Sequence, residues 1–230
     1  MDKVIFITGT DTGVGKTLLT ALLLRHLRQK GVHALAMKPF CSGGTGDVRL
    51  LQSLQSGELS DAEMNPFYFA EPIAPLVAAK RTGTRIDLND VVDKIKSLAR
   101  KCERLLIEGS GGLLVPLGSG YTVADLIRRL QCCVVIVARN RLGTINHSLL
   151  TCRTLRNDGV SPRKQTVVLM DGTEPDRSCS SNQAILAELL APSRVLRLPY
   201  LGSRLSAASQ VKAASSKVRQ ILTKLTDAAR

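Results

Sequence analysis

The chain has 230 residues, with 32 Lys and Arg against 19 Asp and Glu, a formal net charge of +13 and 44% hydrophobic residues. This length suits one well-buried α/β domain spanning 1–230, and no Pro/Ser-rich linker or internal repeat argues for two. The longest apolar runs, such as 132–138, fall far short of the ~20 residues that a membrane-spanning helix needs.

A basic-then-apolar leader is not legible ahead of the first apolar run, so the expectation is a soluble, cytoplasmic protein with no membrane partner. The cationic excess invites a nucleic-acid partner. Trp is absent, however, and aromatics make up 3%, leaving few platforms for stacking bases. A solvated basic face that draws in anionic nucleotide is the expectation instead. The last thirty residues carry six Lys or Arg against Asp227 alone, in a stretch that reads as helical. Six cysteines (Cys41, Cys102, Cys132, Cys133, Cys152 and Cys179) lack C-x-x-C spacing, and several sit in apolar runs where a thiol behaves as a small hydrophobe. His26, His33 and His147 are scattered singly. Neither structural disulfides nor a zinc site is expected.

Taken in chain order, the first element is a strand over 3–8 containing Val4-Ile5-Phe6-Ile7. It feeds Gly9-Thr10-Asp11-Thr12-Gly13-Val14-Gly15-Lys16-Thr17, which reads as a phosphate-binding loop. The glycines let backbone N–H groups turn toward an anion, Lys16 can reach the outer phosphates, and the Thr17 hydroxyl can ligate Mg²⁺ at a helix N-terminus. Five residues separate Gly9 from Gly15, one more than the usual G-x-x-x-x-G-K-[ST] spacing. A helix follows over 18–30, amphipathic, basic near its end and stopped by Gly31.

Further strands are expected over 33–38, 103–108, 132–138, 165–170 and 194–198, with intervals long enough for crossover helices. Their near-continuous apolar character predicts a parallel sheet buried on both faces. Ligands should then gather at the carboxyl ends of the strands. Polar and glycine residues concentrate there, in 8–17, 38–47, 108–112 and 139–146, and the four loops are expected to form one site. Glu108 is expected where its strand gives way to a flexible turn, and Asp47 follows a glycine-rich stretch. With Thr17 they form a hard-oxygen donor set suited to Mg²⁺. Lys38, aimed by Pro39, supplies a second cation beside Lys16.

At these residues the chain resembles the dethiobiotin synthetases. The likeness runs through Phe6-Ile7-Thr8-Gly9 to Lys16-Thr17, then Lys38-Pro39 with Ser42-Gly43, Asn65-Pro66 with Phe69-Ala70-Glu71-Pro72, Glu108-Gly109-Ser110-Gly111-Gly112, and Leu142-Gly143-Thr144-Ile145-Asn146-His147. The longer phosphate loop is that family's own variant. The resemblance implies a P-loop NTPase fold, a Rossmann-like mostly parallel sheet with helices on both faces. It also implies ATP, Mg²⁺, CO₂ and 7,8-diaminononanoate as the reacting set, and a homodimer. Thr12 and Lys16 would contact phosphates, with Gly13, Val14 and Gly15 cradling them, and Thr17, Asp47 and Glu108 would hold Mg²⁺. Lys38 and Ser42 would face a carbamate, with Gly111 lining the substrate. Gly143, Thr144 and Asn146 of the other subunit would receive the substrate's carboxylate. The lack of a catalytic His or Cys is expected for chemistry that rests on orientation and charge neutralisation.

The chain departs from that family at the nucleobase. Met170 or Asp171 stands where the family places an Asn whose amide meets adenine, and Pro199-Tyr200-Leu201 only approximates the second base-facing loop. A thioether is a weak acceptor with no donor, so weaker discrimination among triphosphates is expected. Two other readings remain at this stage. One is a partitioning-type ATPase switch, which carries a Lys early in the loop where Asp11 stands here. The other is a repurposed nucleotide-binding protein with a basic surface.

Overall fold

The computed structural model describes residues 3–202 and 207–227. In chain order the elements are β1 (Val4–Gly9), α1 (Lys16–Gln29), β2 (Ala34–Met37), β3 (Phe40–Ser42), α2 (Gly46–Ser53), α3 (Asp61–Met64) and β4 (Phe67–Phe69). Then come α4 (Pro75–Arg81), α5 (Leu88–Arg100), β5 (Arg104–Gly112), β6 (Pro116–Gly118), β7 (Tyr121–Thr122), α6 (Val123–Leu130) and β8 (Cys133–Arg139). The chain continues through α7 (Thr144–Asn157), β9 (Gln165–Met170), α8 (Asn182–Leu190), β10 (Arg194–Leu198), α9 (Ala208–Lys217) and α10 (Arg219–Asp227).

The six strands expected from apolar runs form one sheet in the order β10-β9-β8-β1-β5-β2. Every neighbouring pair in it is parallel. Val4, Ile5, Phe6 and Ile7 are essentially inaccessible, as a central strand covered on both faces requires. Helices α1, α2, α9 and α10 pack together, with α1 also on β1, β2 and β5. A second group, α5 through α8, packs against β5, β8 and β10. Together they cover the sheet from two sides.

Local chemistry sets the helix limits. Asp87 caps α5 by accepting from the Asn89 N–H, and at the start of α6 Asp125 accepts from both the N–H and the hydroxyl of Thr122, at 2.9 and 2.8 Å. The basic C-terminal stretch is helical as expected, and Val211, Val218, Leu222 and Leu225 of it are buried. Two of its six basic residues, Arg204 and Arg230, lie outside the described residues. The short pairs β3–β4 and β6–β7 were not among the expected strands. Two or three residues carry no readable period, and β3–β4 is held by Phe40 stacked on Phe67 at 5.1 Å between ring centroids.

Two expectations need correction. Glu108 does not sit at a flexible turn: β5 continues through Gly112, and Glu108 lies in register with Ile7 inside the sheet. The glycines that looked like a turn let β5 run close beside β1. The four loops do not share one cavity either, because β5 and β8 flank β1 on opposite sides. The loop after β8 therefore lies across the phosphate loop from the loops after β2 and β5.

Candidate active site

The carboxyl end of β1 enters the loop leading to α1. Gly13 and Gly15 have φ of 70° and 106°, a region where side chains are strained. Gly15 caps α1, so the free N–H groups of a 14-residue helix begin at this loop. The Thr10 N–H donates to the Val137 carbonyl at 2.9 Å and ties the loop to β8.

Lys16 folds across the loop. Its Nζ donates to the carbonyls of Asp11 at 2.9 Å and Gly111 at 2.7 Å, joining the loop to β5. Burial pushes its pKa down to about 8, opposed by Glu108 and reinforced by Lys38. Gly111 itself has φ of 63°, and a Cβ there would lie 2.7 Å from Val115 Cγ2. A side chain there would press on Val115 beyond β5, whereas Thr12 Oγ1 of the phosphate loop would lie 3.6 Å away, at ordinary contact distance.

Next to Lys16, the Thr17 hydroxyl donates to Glu108 Oε1 at 2.7 Å. Lys38 Nζ donates to the same oxygen at 2.8 Å and also pairs with Asp47, the second residue of α2. Burial works against the Lys38 charge, but Glu108 and Asp47 outweigh it and hold its pKa above the usual lysine range. Glu108 is 1% exposed, and its Oε2 has no hydrogen-bond partner. Ser42 Oγ is likewise buried without a partner.

These groups line one cavity of about 610 Å³, which takes in Thr12, Gly13, Gly15, Lys16, Thr17, Lys38, Ser42, Asp47, Glu108 and Gly111. Ten residues singled out in the sequence are thus neighbours. Cys41, Pro72 and Ile73 also line it. Burial raises the Cys41 thiol pKa, and its S–H donates to the Gly44 carbonyl at 3.4 Å. Among the described residues no three His, Cys, Asp or Glu side chains converge as a metal cage. The Thr17 hydroxyl and two carboxylates, one with an unpaired buried oxygen, are the donor set that fits Mg²⁺ completed by phosphate and water.

Comparison with known proteins identifies the family. A family model described as an AAA domain matches residues 3–207. The dethiobiotin synthetase of an Anaeromyxobacter species is 39% identical over 202 residues, covering 86% of this chain and 90% of that protein. The Bacillus subtilis ATP-dependent dethiobiotin synthetase is 35% identical over 202 residues, with 86% and 84% covered. This chain belongs to the ATP-dependent dethiobiotin synthetase family. In backbone, it is similar to a ParA family ATPase from Chlorobium tepidum, with a TM-score of 0.57 at 14% identity over 100% of this chain and 99% of that one. That likeness shows the P-loop ATPase fold alone.

Within this synthetase, six sequence-selected residues, Val14, Gly143, Thr144, Asn146, Met170 and Pro199, lie off the main cavity. Val14, Thr144, Arg139 and Arg141 line a smaller one of about 100 Å³ on the β8 side of the phosphate loop. Gly143 caps α7 with φ of 91°, Thr144 is buried with its hydroxyl unpartnered, and Asn146 is exposed on the first turn. Met170 ends β9 and packs on the phosphate loop: a Cβ on Gly15 would lie 3.1 Å from Met170 Cε. Pro199 follows β10 and is exposed.

Sequence reasoning missed the partners of Asp171. Its carboxylate accepts from Asn140 Nδ2 at 2.7 Å and from Arg197 Nε at 2.8 Å. Arg197 is an alternating residue of an edge strand, so nothing local in the sequence marked it. Arg139 was also missed as a clamp; its Nη2 donates to the Gly13 carbonyl at 2.8 Å. An arginine directly after the apolar run of β8 was the available signal.

Proposed function

We propose that the main cavity closes the ureido ring of dethiobiotin from 7,8-diaminononanoate, CO₂ and ATP, with residues 1–230 acting as one synthetase domain. The observation that carries this reading is the meeting of Lys16, Thr17, Lys38, Asp47 and Glu108 on one cavity, in a member of a family of ATP-dependent ligases. The N–H groups of Gly13, Val14 and Gly15, with Thr12 and Lys16, would cradle the phosphates. Thr17, Asp47 and Glu108 would hold Mg²⁺, which when bound offsets charge on the transferring phosphoryl group.

One amine takes up CO₂ as a carbamate, the γ-phosphoryl group activates it as a mixed anhydride, and the second amine attacks carbon to release phosphate. Lys38 and the unpartnered Ser42 hydroxyl stand where they can hold the carbamate end, with Gly111 closing the wall. Neutral amines need no side-chain base to attack, so positioning and charge neutralisation are what these residues supply.

We further read the active form as a homodimer. Leu114, Leu142 and Leu150 are 65%, 80% and 57% exposed. Leu114 and Leu150 line an open groove of about 460 Å³ beside Thr12 and Gly112. A second copy covering this face would bring the α7 N-terminus, with Gly143, Thr144 and Asn146, toward the partner's substrate. A cytoplasmic setting belongs to the same reading, as the compartment that supplies ATP. Among the described residues no helix is long and apolar enough to cross a membrane.

The test is phosphate release by purified protein with Mg-ATP and bicarbonate, with and without 7,8-diaminononanoate, followed by mass detection of dethiobiotin. Release that depends on the diamine and yields the product is expected. Diamine-independent hydrolysis without product would overturn the reading.

A further inference from the structure

The two carboxylates assigned above to the metal already share a cation, and the hydroxyl of the same set donates to one of them. Lys38 Nζ is bonded to Asp47 Oδ2 and, at 2.8 Å, to Glu108 Oε1, while Thr17 Oγ1 donates to that same Glu108 oxygen at 2.7 Å. Lys38 is 8% exposed and Glu108 1%, so neither charge is solvated well enough to stand alone. Lys16, the other nearby cation, is turned away onto the carbonyls of Asp11 and Gly111.

We propose that Lys38 is the built-in counter-ion of the metal-ligand set, so that a divalent cation enters this site only together with the nucleotide. The inference rests on the ligand assignment made above and adds an order of events to it. An ammonium bonds oxygen at about 2.8 Å, whereas Mg²⁺ demands oxygens at about 2.0–2.1 Å in octahedral array. Lys38 already holds Asp47 Oδ2 and Glu108 Oε1, and a divalent ion taken up at the remaining Glu108 Oε2 would stand beside the ammonium with no further anion to offset the added charge. A bare divalent ion that took the two Lys38 oxygens instead would have to shed part of a tightly held water shell and also strand Lys38 unpaired in a buried position. A triphosphate removes the second obstacle, because its oxygens offer Lys38 a new anionic partner while completing the metal's coordination. The displaced ammonium then lies at the cavity wall shared with Ser42, on the side where a carbamate would develop negative charge. One lysine thus guards the metal ligands in the free protein and becomes a substrate-facing cation when nucleotide arrives.

The test reads metal binding directly, by the paramagnetic resonance signal of free Mn²⁺ titrated with protein. Without nucleotide, the wild-type chain should leave Mn²⁺ free, and a non-hydrolysable ATP analogue should draw it onto the protein. Lys38→Met, of similar length and uncharged, should bind Mn²⁺ without nucleotide at least about tenfold more tightly than wild type. Adding Asp47→Asn to that variant should abolish the gain. Should Lys38→Met fold poorly, Lys38→Gln in the same titration must show the gain, and Mg²⁺ but not Na⁺ at matched ionic strength should raise its unfolding temperature. Mn²⁺ binding to nucleotide-free wild type as tight as to the Lys38 variants would overturn the proposal and leave the ligand assignment standing. No Mn²⁺ binding by wild type even with the analogue would overturn the assignment, and the proposal with it.

Discussion

Met170 touches the phosphate loop through its thioether methyl, and Asp171 beside it is fully engaged by Asn140 and Arg197. Neither presents an amide to a base. ATP, CTP and GTP should therefore be used with kcat/KM values within about tenfold of one another, and Met170→Asn should widen the preference for ATP about fivefold to tenfold, the worth of one net hydrogen bond. The same ratio in both proteins would remove Met170 from base recognition. Glu108 makes a second residue-scale case. Read from sequence, it lay where its strand gives way to a flexible turn; in the structure it is buried in β5 and bonded to Lys38 and Thr17. Glu108→Ala leaves Lys38 with Asp47 alone, and should lower unfolding free energy in urea by about 3 kcal/mol. Glu108→Gln should cost clearly less while both variants lose about a hundredfold or more in turnover. An alanine variant as stable as wild type would contradict the buried pair.

At the scale of elements, the basic C-terminal segment has a structural job. Helices α9 and α10 pack on α1, the helix that begins at Lys16, and His26 of α1 meets Thr223 of α10 at 3.3 Å. Their charges face outward while Val211, Val218, Leu222 and Leu225 are buried. Leu222→Ala, at a fully buried position, should destabilise the fold by about 2–5 kcal/mol in urea unfolding. A neutral result would mean that α10 is an appendage. The helical period of this stretch was legible; its seating on α1 was not, because nothing local tells which of several apolar faces a terminal helix will cover.

At the scale of the molecule, exposed Leu114 and Leu150 at the groove beside Thr12, with exposed Leu142 just ahead of α7, make assembly the property to test. The wild-type chain should sediment at twice its monomer mass. Leu142→Glu, at an 80% exposed position, should yield a folded monomer with turnover reduced about tenfold or more. A monomeric wild type with full diamine-dependent turnover would exclude a shared site. The parallel α/β fold and the phosphate loop could be read from one dimension, since Val4-Ile5-Phe6-Ile7 and Gly9 through Thr17 encode strand, turn and helix start in adjacent residues. Lys38, Asp47 and Glu108 could be nominated for the same reason, each lying just beyond an apolar run or a glycine stretch. Their mutual arrangement was a matter of strand order. Placing β5 on one side of β1 and β8 on the other brought Glu108 to Thr17 and Lys38, and sent Gly143 and Thr144 to the opposite flank of the loop. Local sequence determines backbone conformation residue by residue, whereas the distances between side chains on separate strands come from sheet pairing, which only the folded chain sets.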